Sequence, residues 1–275
     1  MILAEPCAGA TGGPRGPETG CYPSAVRVLL ALLLLPAPLL LAQEKGAVTD
    51  GELSGPGGKK FAYAIYKARS AKADAKLPLI LALHGGGDTA RRFAGFLYST
   101  AELQGGILVC PQGFRPVKGT EGFWWKGDAE EEAMLDALLD HVRETLPADR
   151  AKLTVIGLAD GAELAIRWSV EKDRGVKGVV ALNFLWKPPG PPKAPKDLKF
   201  CLISCKEAME EKKGLAEQAQ KAAKAIEGAG FPVVLRIVPG KSRSFFHGWE
   251  NEFAKAFSWF DGKLDWPKQL AEKAE

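Results

Sequence analysis

Residues 153–169, LTVIGLADGAELAIRWS, pass from an apolar strand through a tight bend into a helix. Gly157, Leu158, Ala159, Asp160 and Gly161 make the bend. Small residues at its two ends let strand and helix close on one another. The middle residue then stands at the apex, where a serine hydroxyl could act as a nucleophile. Covalent attack from that point needs an oxygen or a sulfur. Ala159 offers a methyl group. Shifting the register by one would put Asp160 at the apex, flanked by Leu158 and Ala162 where small residues belong. A leucine crowds such a turn, so the glycines assign the apex to Ala159. His84, followed by Gly85, Gly86 and Gly87, is a second stretch able to place backbone N–H groups close to a reacting atom.

The elements that must position these residues follow a regular order. Residues 60–68 alternate Phe61, Tyr63 and Ile65 on one face, the pattern of a half-buried strand near a sheet edge. LPLILAL (77–83) is continuously apolar and runs into the glycines, as a central strand buried on both faces does. A helix over 90–105 and a strand over 106–111 come next. A helix over 127–147 opens with acids, which suit the positive end of its dipole, and carries Met134, Leu135, Leu138, Leu139 and Val142 at helical spacing. Strands are expected at 152–157, 176–186, 198–205 and 231–240, and helices from Ala162, over 214–230 and over 248–263. The Pro-rich segment 187–197 is a loop. Strands alternating with helices imply a mostly parallel central sheet with helices on both faces, an α/β fold. In such sheets functional residues gather after the carboxyl ends of the strands.

The chain has 275 residues, enough for one α/β domain with a core that needs no staples. Lys and Arg number 37 against 33 Asp and Glu, interleaved along the chain. That small excess, without an aromatic–basic stripe, argues against nucleic acid as a partner. Cys110, Cys201 and Cys205 sit in or beside apolar strands and are expected to behave as small buried hydrophobes. There is no CxxC pair, no Cys/His cluster at zinc spacing, no HExxH, no Walker loop and no dinucleotide fingerprint, so neither a metal nor a nucleotide cofactor is implied. Val28 to Ala42 follows Arg27 as 15 uncharged residues. That is short of the about 20 a membrane helix needs and fits a secretory leader. We therefore divide the chain into a leader and signal peptide, 1–42, and a single domain, 43–275. The protein is expected to be exported, periplasmic or extracellular, with no stable membrane span unless the leader stays uncleaved.

Four stretches taken in order resemble the α/β-hydrolase superfamily. They are LHGGGDTARRFA after the first central strand, CPQGF…GFWWKGD after the next, VIGLADGAELAIRW at the bend, and VPGKSRSFFHGWENE near the end. The likeness lies with secreted polyhydroxybutyrate depolymerases, feruloyl esterases and carboxylesterase-like phospholipases, and covers residues 60–262. It implies an α/β-hydrolase fold. It also implies oxyanion-type backbone donors at Gly85, Gly86 and Asp160, and a pocket lined by His84, Phe123, Trp124 and Trp125. It places the nucleophile at Ala159, the orienting acid at Ala208 and the base at Arg243. None of the three carries the required group, and an arginine stays protonated. Asp160 and His247 are the fallback candidates. Glu207, Glu210 and Glu211 stand near the acid position, and His141 is an ordinary helical residue.

Three readings stay open. In the first, an exported protein of esterase (carboxylic ester hydrolase) ancestry has lost its triad and binds a small-molecule, carbohydrate or aromatic ester ligand through the former cleft. In the second, it is an active hydrolase with a non-standard constellation built on Asp160 and His247. In the third, it is a structural or interaction domain with no pocket.

Overall fold

Period-2 alternation sorts the central strands onto two apolar layers. The computed structural model describes residues 46–72, 74–185, 192–205, 215–239 and 248–271. The chain divides into two units, Met1–Leu41 and Ala42–Glu275, and every described residue lies in the second. The expected leader therefore falls outside the described residues. Among these, no helix is long and apolar enough to cross a membrane.

The main sheet contains β1 (Val48–Ser54), β2 (Lys60–Lys67), β3 (Leu77–Leu83), β4 (Ile107–Pro111), β7 (Ala148–Leu158), β8 (Val176–Leu182), β9 (Lys199–Cys205) and β10 (Val233–Val238). A two-stranded ribbon, β5 (Arg115–Pro116) and β6 (Phe123–Trp124), leaves it after β4. The strand order is β1-β2-β4-β3-β7-β8-β9-β10. β1 and β2 run antiparallel to their neighbours, and the rest pair in parallel.

Leu79, Leu81 and Leu83 of β3 point to one face, and Ile80 and Ala82 to the other. The first face is covered by α2 (Ala129–Thr145), through Met134, Leu135, Leu138, Leu139 and Val142, by α3 (Asp160–Glu171) and by α4 (Leu215–Gly228). The second is covered by α1 (Ala90–Gln104), through Phe93, Ala94, Leu97 and Ala101, and by α5 (Trp249–Phe260) and α6 (Trp266–Ala271). The mostly parallel sheet with helices on both faces is as expected. Thr89 caps α1 by accepting from the Arg92 N–H, and Asp128 caps α2 by accepting from the Glu131 N–H.

Several boundaries differ from the sequence reading. β1 was not anticipated, because Asp50, Gly51 and Glu52 break its apolar pattern. It forms because β2 offers a ladder partner along its whole length. β8 stops at Leu182, four residues short of the expected end, where Asn183 turns into left-handed backbone at φ 48°. α3 begins at Asp160, two residues early, and α6 follows the expected last helix. Cys110, Cys201 and Cys205 are all buried, and no disulfide joins them.

α3 is pinned at both ends. At its start, a Cβ on Gly157 would lie 2.4 Å from Ala162 Cα, and one on Gly161 would lie 2.4 Å from the His84 carbonyl oxygen. Real Cβ contacts do not come that close, so β7, the first turn of α3 and the end of β3 can pack as they do only with both glycines. Just past the far end of α3, the side chain of Arg174 is 4% exposed. Its Nε donates to Asp136 Oδ1 at 2.6 Å, and its guanidinium lies 4.4 Å over the Trp168 ring. Trp168 Nε1 and Lys172 Nζ reach the same carboxylate at 3.1 and 2.7 Å. Burial alone would raise the pKa of Asp136. The hydrogen bonds from Arg174 and Lys172 outweigh it and hold that pKa below the ordinary value.

Two predictions follow from these anchors. Gly157→Ala or Gly161→Ala should lower the unfolding free energy by about 2–4 kcal/mol in urea titrations, or prevent folding, because backbone rather than a flexible side chain opposes the methyl group. A folded-state pKa held below the unfolded value of about 3.9 contributes stability that is complete above that value and is lost as the pH falls through the lower one. Asp136→Asn should therefore destabilise at neutral pH, and its deficit relative to wild type should narrow below about pH 4.

Candidate functional site

The carboxyl ends of β3, β4 and β7 lie side by side because β3 sits between the other two in the sheet. Three loops meet there. The glycine loop, His84–Gly87, follows β3, an aromatic loop leads through β6 to Trp125, and the bend of residues 157–161 follows β7.

Ala159 stands at the apex of that bend with φ 52° and ψ −117°. Among the described residues only Ala159 and Asn183 combine a side chain with positive φ. Such backbone costs on the order of 1–3 kcal/mol and persists where the surroundings over-determine it. Here the Ala159 N–H donates to the Leu182 carbonyl at 2.9 Å, and its carbonyl accepts from the Ala162 and Glu163 N–H groups at 3.0 and 3.2 Å. The two glycines complete the constraint. The Cβ at the apex is a methyl group and can neither attack nor transfer a proton.

Asp160, the first residue of α3, turns its carboxylate back across the site. Oδ1 accepts from the Gly86 N–H at 2.6 Å, and Oδ2 accepts from the Trp125 N–H at 2.7 Å. Both are charge-assisted bonds, and the anion also sits at the positive end of the helix. The Gly86 donor expected for a ligand oxygen is thus engaged by the protein's own side chain. The glycine and aromatic loops are stitched together independently. The Gly87 N–H donates to the Phe123 carbonyl at 2.8 Å, and the Phe123 N–H to the Asp88 carbonyl at 2.9 Å. Gly122 permits this approach, since a Cβ there would lie 2.1 Å from the Gly87 carbonyl oxygen.

The expectation that His84 and Trp125 line a pocket is corrected. His84 is 0% exposed and Trp125 2%. The imidazole donates from Nδ1 to the Gly85 carbonyl at 2.9 Å. Its Nε2 accepts from the Gly113 N–H at 3.1 Å and from the Gln112 amide at 3.0 Å. These partners fix one neutral tautomer. Burial lowers its pKa against the opposing pull of the Gly85 carbonyl, Asp88 and Asp160. The Trp125 ring packs against the imidazole, tilted by 42° with centroids 5.2 Å apart, and donates from Nε1 to the His84 carbonyl at 2.9 Å. Both residues brace the glycine loop from within. Trp124, by contrast, is 41% exposed, beside Gly86 and the Asp160 carboxylate, and Phe123 is half-buried.

Ala208, Arg243 and His247 lie outside the described residues, as do Glu207, Glu210 and Glu211. His141 lies on α2, 3.3 Å from the Tyr63 hydroxyl. Sequence reasoning missed Gln112 and Gly113, which hold His84, and also missed Asn183. Asn183 lies beyond β8, accepts the Cys205 N–H at 2.8 Å and donates to Cys205 Sγ at 3.5 Å. An asparagine directly after an apolar strand is a signal for left-handed backbone that could have found it.

No protein-family model matches the sequence, and no curated protein does. Solved structures do match. A ferulic acid esterase aligns at 16% identity and a TM-score of 0.58, over 81% of this chain and 100% of the other. A hyperthermophilic esterase from the archaeon Pyrobaculum calidifontis aligns at 14% identity and 0.59, over 82% and 86%. A thermostable esterase aligns at 12% identity and 0.57 over 78% of this chain, which spans only 62% of that protein's length. Likeness at these identities speaks for architecture, and it agrees with the strand order and the bend. The chain has the α/β-hydrolase fold.

Proposed function

We propose that this protein is an exported relative of the carboxylic ester hydrolases that forms no acyl-enzyme and binds a neutral aromatic or carbohydrate ester in the former cleft. One observation carries the reading: the residue held in strained backbone at the apex of the β7–α3 bend is Ala159. Strain of that kind is kept where the surrounding packing insists on it. Here the packing survives without the group that would use it. The esterases among the structural neighbours support the ancestry, and Ala208 and Arg243 at the expected acid and base positions support the loss of the triad. The apolar run 28–42 supports export. Trp124, exposed beside the glycine loop, is the aromatic surface available to a ring-bearing ligand. The alternative built on Asp160 as nucleophile is disfavoured, because both of its carboxylate oxygens already accept short hydrogen bonds.

Three measurements test the proposal. A fluorophosphonate probe should leave the wild type unlabelled. The triple variant Ala159→Ser, Ala208→Asp, Arg243→His should acquire label, because the apex already holds a side-chain-bearing residue in the required backbone. A labelled wild type would sink the reading, as would turnover of nitrophenyl esters that vanishes in Asp160→Ala. Calorimetry with ethyl ferulate should show binding without turnover, weakened roughly three- to tenfold by Trp124→Ala through loss of ring stacking.

A further inference from the structure

The Asp160 carboxylate bridges two donors that belong to neither its own helix nor one another's loop. Gly86 lies 74 positions away in sequence and Trp125 lies 35 away. The two N–H groups converge on the carboxylate from opposite loops, at 2.6 and 2.7 Å. A Cβ on Gly86 would stand 3.4 and 3.6 Å from the two carboxylate oxygens, so the anion lies close against the glycine loop. It would also stand 3.6 Å from Trp124 Cβ, which puts the exposed aromatic on the rim of the same site. Two backbone donors turned toward one point at a helix start favour a negative charge strongly. That point is already filled.

We propose that Asp160 is the built-in occupant of an anion site formed by the Gly86 and Trp125 N–H groups, and that it sets the ligand class of the cleft by admitting neutral ligands and excluding carboxylates. The occupancy rests on the geometry alone. The selectivity rests on the cleft reading given above. An incoming carboxylate would find both donors engaged and would meet a like charge at contact distance. A neutral ester makes no such demand. Asp160 would therefore act by holding the donors and not by reacting.

The test uses the full chain as wild type, Asp160→Ala and Asp160→Asn, with folding checked by circular dichroism. Sodium formate is titrated at constant ionic strength while the Gly86 and Trp125 amide resonances are followed by NMR. In Asp160→Ala both resonances should move with saturation, with formate bound at least about tenfold more tightly than by wild type, because two charge-assisted bonds become available. Asp160→Asn keeps the volume but not the charge. Without any formate, at least one of the two amide protons should move upfield. Amide resonances that match wild type in both variants would overturn the occupancy, as would a folded Asp160→Ala that binds formate no better. Calorimetry with ferulate and ethyl ferulate then tests the selectivity. Wild type should take the ester and reject the acid, and Asp160→Ala should accept both. Equal binding of acid and ester by wild type would overturn the selectivity. If wild type binds neither, the cleft reading fails while the formate titration still decides the occupancy.

Discussion

The first turn of α3 runs in backbone contact with the ends of β3 and β7, and the site depends on that closeness. The Gly161 backbone lies against the Leu83 and His84 carbonyls, and the Gly157 backbone against Ala162. With the helix held there, the chain has only a few residues in which to reverse from strand to helix. It does so by forcing Ala159 to positive φ. The same contact sets Asp160 within hydrogen-bond reach of the glycine loop, whose own shape is held from beneath by His84 and Trp125. A geometry suited to exposing a nucleophile is therefore intact as packing, whatever residue occupies its apex.

Electrostatics then gives the site its present character. Two inward-turned N–H groups and a helix start make a locally positive spot. The residue after the apex supplies a negative charge to it at short distance. The two hydrogen bonds tie the bend, the glycine loop and the aromatic loop together. A ligand oxygen reaching for either donor would have to compete with a tethered carboxylate. The imidazole of His84, with both ring nitrogens engaged by neighbouring groups, adds rigidity to the glycine loop.

Much of the fold was legible because it rests on local period. Leu79, Leu81 and Leu83 against Ile80 and Ala82 announce a strand buried on two faces, and Met134 to Val142 announce a helix with one apolar stripe. β1 was not legible, since its strand character comes from the neighbouring ladder and not from its own residues. The tryptophan pair shows the limit at the site. Adjacent residues of an extended segment point to opposite sides, so one of Trp124 and Trp125 had to turn inward. Which one did so depended on where the His84 ring and carbonyl lay, and those belong to the loop after β3.

The amino-acid sequence by itself determined the alternation of strands and helices, the glycines of the bend and the methyl-bearing residue at its apex, because each is a matter of residue type at short spacing. The tertiary structure alone decided that His84 is sealed in the interior, that Trp124 and not Trp125 meets solvent, and that the Asp160 carboxylate fills the donors of two other loops. Those outcomes depend on β4, β3 and β7 being neighbours in the sheet, an adjacency created by non-local pairing. No local pattern of charge or hydrophobicity encodes it, so a carboxylate that looked available in the chain proved to be already bound in the fold.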